Sequence, residues 1–180
     1  MISVLALGAC SGDDPEPKVA DPSPSATLPS SPSTTPVSGP VEPTMPAEAR
    51  GTDAAAAEAF VKFYWEMVNY AQATGDVEGV RDLAPQCGTC DAAINYIVDV
   101  YDRGGRIEGG EGRFRHLRAN FLDHEGGVRA LVRGDLASAE QRVDLPGSRN
   151  DQSFPGGTLP FELLLEAGAD GWTVLTMGQQ

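Results

Sequence analysis

Between residues 59 and 105 the apolar positions recur at helical spacing. Phe60, Tyr64, Met67, Val68 and Ala71 fall three or four apart and make one stripe. Val61, Trp65 and Tyr70 widen it, which predicts a helix covered on more than one side. Thr52 or Asp53 stands where an N-cap is needed, and Gly75 where a left-handed stop is needed. Asp76 then caps a short second helix running through Leu83, and Pro85 ends it. A third helix begins near 89–91, shows Ala93, Ile94, Ile97, Val98 and Tyr101 on its apolar face, and stops at Gly104-Gly105.

After residue 105 the period changes to two. Leu117, Ala119 and Phe121 alternate with Arg118 and Asn120. Glu125-Gly126-Gly127 is a turn, and Val128, Ala130 and Val132 return the chain, with a further piece reaching Leu145. Residues 147–157 read as a polar loop. Phe161, Leu163 and Leu165 share one face of the next strand, a turn follows at 168–171, and Trp172, Val174 and Thr176 close the pattern. Helices first and strands afterwards predict an α+β domain, with three N-terminal helices packed on a curved antiparallel sheet of about four strands. The glycines between 104 and 112 lack phosphate-loop spacing and follow a helix, so they read as turn chemistry.

Composition changes the picture upstream of residue 51. Ten of the 14 prolines lie between Pro15 and Pro46, among Ser, Thr, Ala, Asp and Glu. Such a stretch has too little apolar surface to offset its chain entropy and is expected to be a disordered tether. At about 3.1 Å per residue, a 40-residue tether reaches on the order of 120 Å when extended. The expected organisation is a partial signal peptide at 1–9, an anchor cysteine and linker at 10–50, and one domain at 51–180. A formal charge of -13 argues against nucleic acid, which needs clustered cations.

Three cysteines leave one over. Leu7-Gly8-Ala9-Cys10 ends an apolar run and is followed by Ser11-Gly12-Asp13-Asp14. It resembles the bacterial lipobox, which implies diacylglyceryl transfer to the Cys10 sulfur and cleavage just before it. Two acyl chains hold a protein on a membrane stably where one does not. The expected location is extracytoplasmic, lipid-anchored to the outer face of the cytoplasmic membrane. No Lys or Arg precedes Cys10, so the true start is expected upstream of Met1.

Cys87-Gly88-Thr89-Cys90 has three readings. A zinc site needs two more ligands, and His116 and His124 have the wrong spacing. A redox pair gains from sitting before a helix, yet lacks the strand that precedes thioredoxin-type motifs. A structural disulfide pinning the loop between the second and third helices suits an exported protein, and is the reading taken. No cofactor and no metal is expected.

Asn69-Tyr70-Ala71, Thr74-Gly75-Asp76, the paired cysteines, Tyr101 and Gly104-Gly105 resemble an actinobacterial family of uncharacterised lipoproteins. These look like relatives of the nuclear-transport-factor-2-like superfamily. The resemblance implies a cone-shaped α+β domain. It carries over no catalytic residue. Tyr64, Trp65, Asn69, Tyr70 and Tyr101 are the candidate pocket lining. The expected role is a non-catalytic surface module for a small apolar ligand or an envelope protein. Besides a purely structural spacer with no cavity, two alternatives stand. One is an isomerase- or cyclase-like enzyme using Asp99, Asp123, His116 or His124 as a buried acid or base. The other is a thiol-disulfide exchanger using Cys87 and Cys90.

Overall fold

The computed structural model describes residues 39–122, 125–147 and 151–180. Cys10, its flanking signal and most of the tether lie outside the described residues, as do Asp123 and His124. The compact unit is Ser38–Gln180. Its first element is a 3-10 turn, Ala47–Arg50, whose Ala49 is buried against the core. The folded unit thus takes in residues that composition alone assigns to the tether.

Helix α1, Ala54–Thr74, begins where the Asp53 carboxylate accepts the Ala56 N–H at 2.8 Å. It ends at Gly75, held at φ 79° with its N–H donated to the Ala71 carbonyl. A side chain at Gly75 would also run into the Tyr101 ring, 2.6 Å from the nearest ring carbon. Helix α2, Glu78–Asp82, is a single turn, and the Asp76 carboxylate accepts the Glu78 N–H at 3.2 Å. Helix α3, Gly88–Asp102, buries Cys90, Ile94, Ile97 and Val100.

The sheet differs from the expectation of three helices on one curved sheet of about four strands. Among the described residues seven strands form: β1 Arg106–Gly109, β2 Gly112–Leu122, β3 Arg129–Ser138, β4 Gln141–Asp144, β5 Gln152–Phe154, β6 Gly157–Gly168 and β7 Gly171–Gln179. They make two antiparallel sheets, β1-β4-β5 and β2-β3-β6-β7, and strands outweigh helices. The reason is a corner that crosses three chain segments at one level. Gly109 and Gly110 take φ 70° and 81° between β1 and β2. Ala139-Glu140 interrupts the passage from β3 to β4, and Pro155-Gly156 the passage from β5 to β6. The corner is tied by Gly110 N–H to the Glu140 carbonyl at 3.0 Å and Ala139 N–H to the Glu111 carbonyl at 3.1 Å. A side chain on Gly109 would strike the Glu140 carbonyl, and one on Gly156 would come within 2.7 Å of the Ser138 carbonyl. β5 falls within the 147–157 segment expected to be loop.

Inside the four-stranded sheet, β2 carries a bulge. His116 and Leu117 together oppose Gly134, and His116 adopts φ 53°. The extra residue keeps both Phe114 and Leu117 on the buried face. The core sits between that face and the helices: Leu163, Leu165, Val132, Trp172 and Val174 from the sheet meet Phe60, Tyr64 and Met67 of α1. Each such side chain contributes about 1.5–3 kcal/mol on full burial. Ile107 and Val143 bring the small sheet into the same cluster.

Candidate functional site

Both outer strands of the larger sheet have their free edges met by helical residues. On β7, the Val174 N–H donates to the Leu83 carbonyl at 2.9 Å and the Met177 N–H to Thr89 Oγ1 at 3.1 Å. On β2, the Asn69 amide of α1 holds Gly112 from both sides: Nδ2 donates to the carbonyl at 2.9 Å and Oδ1 accepts the N–H at 2.9 Å. Further along, Glu58 Oε1 accepts the Ala119 N–H at 3.2 Å. These contacts occupy part of each free edge.

Beside the Asn69 clamp lies a cleft of about 460 Å³, lined by Lys62, Trp65, Glu66 and Asn69 of α1 and by Gly112, Arg113 and Phe114 of β2. That volume falls within the range of small-molecule sites. Its floor is aromatic. The Trp65 ring meets Phe114 edge-on at 5.2 Å and Phe161 at 5.5 Å. Its rim is charged. Lys62, Glu66 and Arg113 are exposed, and among the described residues neither cation belongs to an ion pair. Trp65 Nε1 is buried and has no hydrogen-bond acceptor. An orphaned buried donor costs about 1–3 kcal/mol. Its seat exists because residue 112 is glycine, where a side-chain carbon would overlap the indole nitrogen.

Trp65 also borders a second space. A notch of about 110 Å³ between α1 and α3 is walled by Tyr64, Val68, Ile94, Ile97 and Met177, with Ala93 and Gln72 at its margin. Burial, and then the nearby Asp91 carboxylate, hold the Tyr64 phenol well above its ordinary range.

Of the five pocket residues expected from sequence, three line a cavity and two do not. Trp65 and Asn69 line the cleft, and Tyr64 and Trp65 line the notch. Tyr70 lies elsewhere, its hydroxyl 3.4 Å from Asp76 Oδ2. Tyr101 is structural, donating to the Gln72 carbonyl at 2.7 Å. Lys62 and Glu66 went unmarked in the sequence, although they share a helical face with Trp65 and Asn69. Gly112, Arg113 and Phe114 carry no local signal.

Of the acid–base candidates, Asp99 is exposed and pairs with Arg103 at 3.0 Å; His116 is exposed and pairs with Asp135 at 2.9 Å. Among the described residues, no Asp, Glu, His, Lys or Arg is buried. Cys87 and Cys90 have their sulfurs at bonding distance, and both residues are fully buried. Cys87 is the N-cap of α3, its sulfur accepting the Cys90 N–H at 3.1 Å. Among the described residues no three His, Cys, Asp or Glu side chains gather as metal ligands, and no helix is long and apolar enough to cross a membrane.

The class defined by these features is an α+β domain with two antiparallel sheets and an aromatic, cation-rimmed cleft where its longest helix meets an edge strand. The chain belongs to the DUF6318 family, a family of unknown function, matched over residues 32–149. No curated protein matches it. Among solved structures, the intermembrane-space region of the chloroplast protein ARC6 is similar with a TM-score of 0.56 at 16% identity, over 72% of this chain and 97% of that one. That likeness shows a shared fold. A Xanthomonas campestris protein described as a calcium/calmodulin-dependent protein kinase II association domain matches with a TM-score of 0.40 at 16% identity, over 69% and 85% of the two chains. A protein of unknown function from Mycobacterium tuberculosis matches with a TM-score of 0.30 at 14% identity, over 72% and 77%.

Proposed function

We propose that this chain is an extracytoplasmic lipoprotein, moored through Cys10, whose folded unit is a non-catalytic module that binds a small ligand in the α1–β2 cleft. The observation that carries the binding role is the cleft itself: about 460 Å³, floored by Trp65 and Phe114 and rimmed by two cations outside any ion pair among the described residues. Aromatic surface supplies affinity, and a few placed polar groups fix orientation. Mooring rests on the lipobox-like Leu7-Gly8-Ala9-Cys10 and the Pro/Ser tether after it. Asp99, ion-paired with Arg103, and His116, hydrogen-bonded to Asp135, are both exposed, so neither is the buried base that an isomerase-like mechanism needs. Full burial of Cys87 and Cys90 opposes thiol exchange.

The test is purification of the full precursor from its native host, after growth with labelled fatty acid. Label on Cys10, lost in Cys10→Ser, is expected, together with a small molecule released on denaturation and absent from Trp65→Ala. A preparation that carries no small molecule and crosslinks through Lys62 to one defined protein overturns the binding role. Unlabelled Cys10 overturns the mooring.

A further inference from the structure

We infer that the ligand of the α1–β2 cleft is an amphipathic organic anion, its acid group held by Lys62 and Arg113 and its apolar tail in the notch beyond Trp65. The inference rests on the binding role proposed above and adds the chemistry of the ligand.

Charge is the first argument. The chain carries a formal -13, yet this cleft gathers Lys62 and Arg113 against the single carboxylate of Glu66. On β3 and β4 the arginines sit beside carboxylates, Arg129 with Glu166 at 2.8 Å, Arg133 with Glu162 at 2.9 Å and Arg142 with Glu140 at 3.2 Å, whereas on β2 Arg115 and Arg118 share with Arg113 the lack of an ion pair among the described residues. Two cations outside such pairing, on facing elements, suit an incoming anion. The Asn69 amide gives one N–H and one oxygen lone pair to Gly112, which fixes its orientation at the cleft wall.

The tail is argued from Trp65. This one indole belongs to the walls of both the cleft and the notch. Beyond it the lining is almost wholly apolar: Val68, Val80, Ile94, Ile97 and Met177. The indole N–H has no acceptor where it sits, although its ring packs edge-on against Phe114 and Phe161. Turned toward the cleft, that N–H meets the acid oxygens of a ligand, and the two spaces join. A compact inorganic anion fills neither the aromatic floor nor the notch, and a neutral hydrocarbon leaves both cations unanswered.

The experiment is titration calorimetry on the full chain with hexanoate, octanoate, decanoate and dodecanoate, with decyl phosphate, and with decanol as the neutral match. Affinity is expected to rise with chain length and then level off. Decanol should bind at least about tenfold more weakly than decanoate, and Lys62→Gln and Arg113→Gln should each cost about tenfold for decanoate while leaving decanol unchanged. Ala93→Leu, at an exposed helical position on the margin of the notch, should abolish the length dependence with little effect on folding. Decyl phosphate binding as tightly as decanoate places the source among phosphate esters as well as carboxylic acids, and supports the anionic class. Equal affinity for decanol and decanoate, or no effect of the Gln variants, overturns the ligand class while leaving a binding cleft in place. If no member of the series binds folded protein, the inference falls, and the binding role then stands or falls on the co-purification alone.

Discussion

Tyr64 is fully buried, with its hydroxyl 4.0 Å from the sulfur of Met177. Burial first, and the Asp91 carboxylate second, raise its pKa above the ordinary 10.0. In the unfolded chain the phenol ionises near that ordinary value, whereas the folded protein keeps the proton. Its contribution to stability is therefore complete below about pH 10 and is lost as the pH rises beyond it. Tyr64→Phe should change stability by less than about 1 kcal/mol at pH 7, because the sulfur contact is weak. Above pH 10 the variant should lose stability less steeply than the parent. Urea unfolding at pH 7, 9 and 10.5 checks this; parallel losses in the two proteins would show that Tyr64 is not the titrating group.

At the scale of elements, the start of α3 depends on the cysteine pair. Cys87 Sγ accepts the Cys90 N–H, and Thr89 Oγ1 reaches across to the Met177 N–H on β7. The disulfide closes a very short ring, for which the chain-entropy estimate is about 2 kcal/mol. Cys87→Ala with Cys90→Ala should lower unfolding stability by about that amount, measured in urea under conditions where the parent stays oxidised. A loss near zero would mean that the Thr89 bridge and the packing of Ile94 and Ile97 hold α3 without the bond. The helices themselves were legible, because their signals are local: Asp53 before α1 and Gly75 after it, whereas at α2 the N-cap position falls to Val77 and Asp76 only accepts the Glu78 N–H. The 3-10 turn at 47–50 was not, since Ala49 is ordered by burial and carries no motif of its own.

Over the whole molecule, the corner separating the two sheets is the feature that reshapes the expected fold. Gly109 is held at φ 70° with its missing side chain aimed at the Glu140 carbonyl. Gly109→Ala should cost about 2–3 kcal/mol, from left-handed strain and from overlap with backbone that cannot give way. Gly127→Ala, in a turn with nothing within 4 Å, is the control and should stay within about 0.5 kcal/mol. Thermal unfolding of the pair makes the comparison; equal midpoints would remove the corner's claim to structural importance. The sequence marked Gly109 and Gly110 as turn residues. It did not show that Ala139-Glu140 and Pro155-Gly156 stand at the same level, and that alignment divides one sheet into two. Only three residues long, Gln152–Phe154 is too short to show a period, so β5 passed for loop.

What the chain determined by itself are the features whose energies are local: caps, left-handed stops, the change of period from helix to strand, and the pairing of Cys87 with Cys90 across two residues. It also offered Trp65 and Asn69, together with Tyr64, Tyr70 and Tyr101, as candidate pocket lining, without distinguishing among them. The tertiary structure alone decided what each of them meets. Asn69 meets Gly112 across 43 positions of chain, and Lys62 comes to share a cleft with Arg113. No periodicity records such a meeting. It follows from how the β2 bulge, the glycine corner and the packing of α1 against the sheet settle together, through contacts between segments that are distant in sequence.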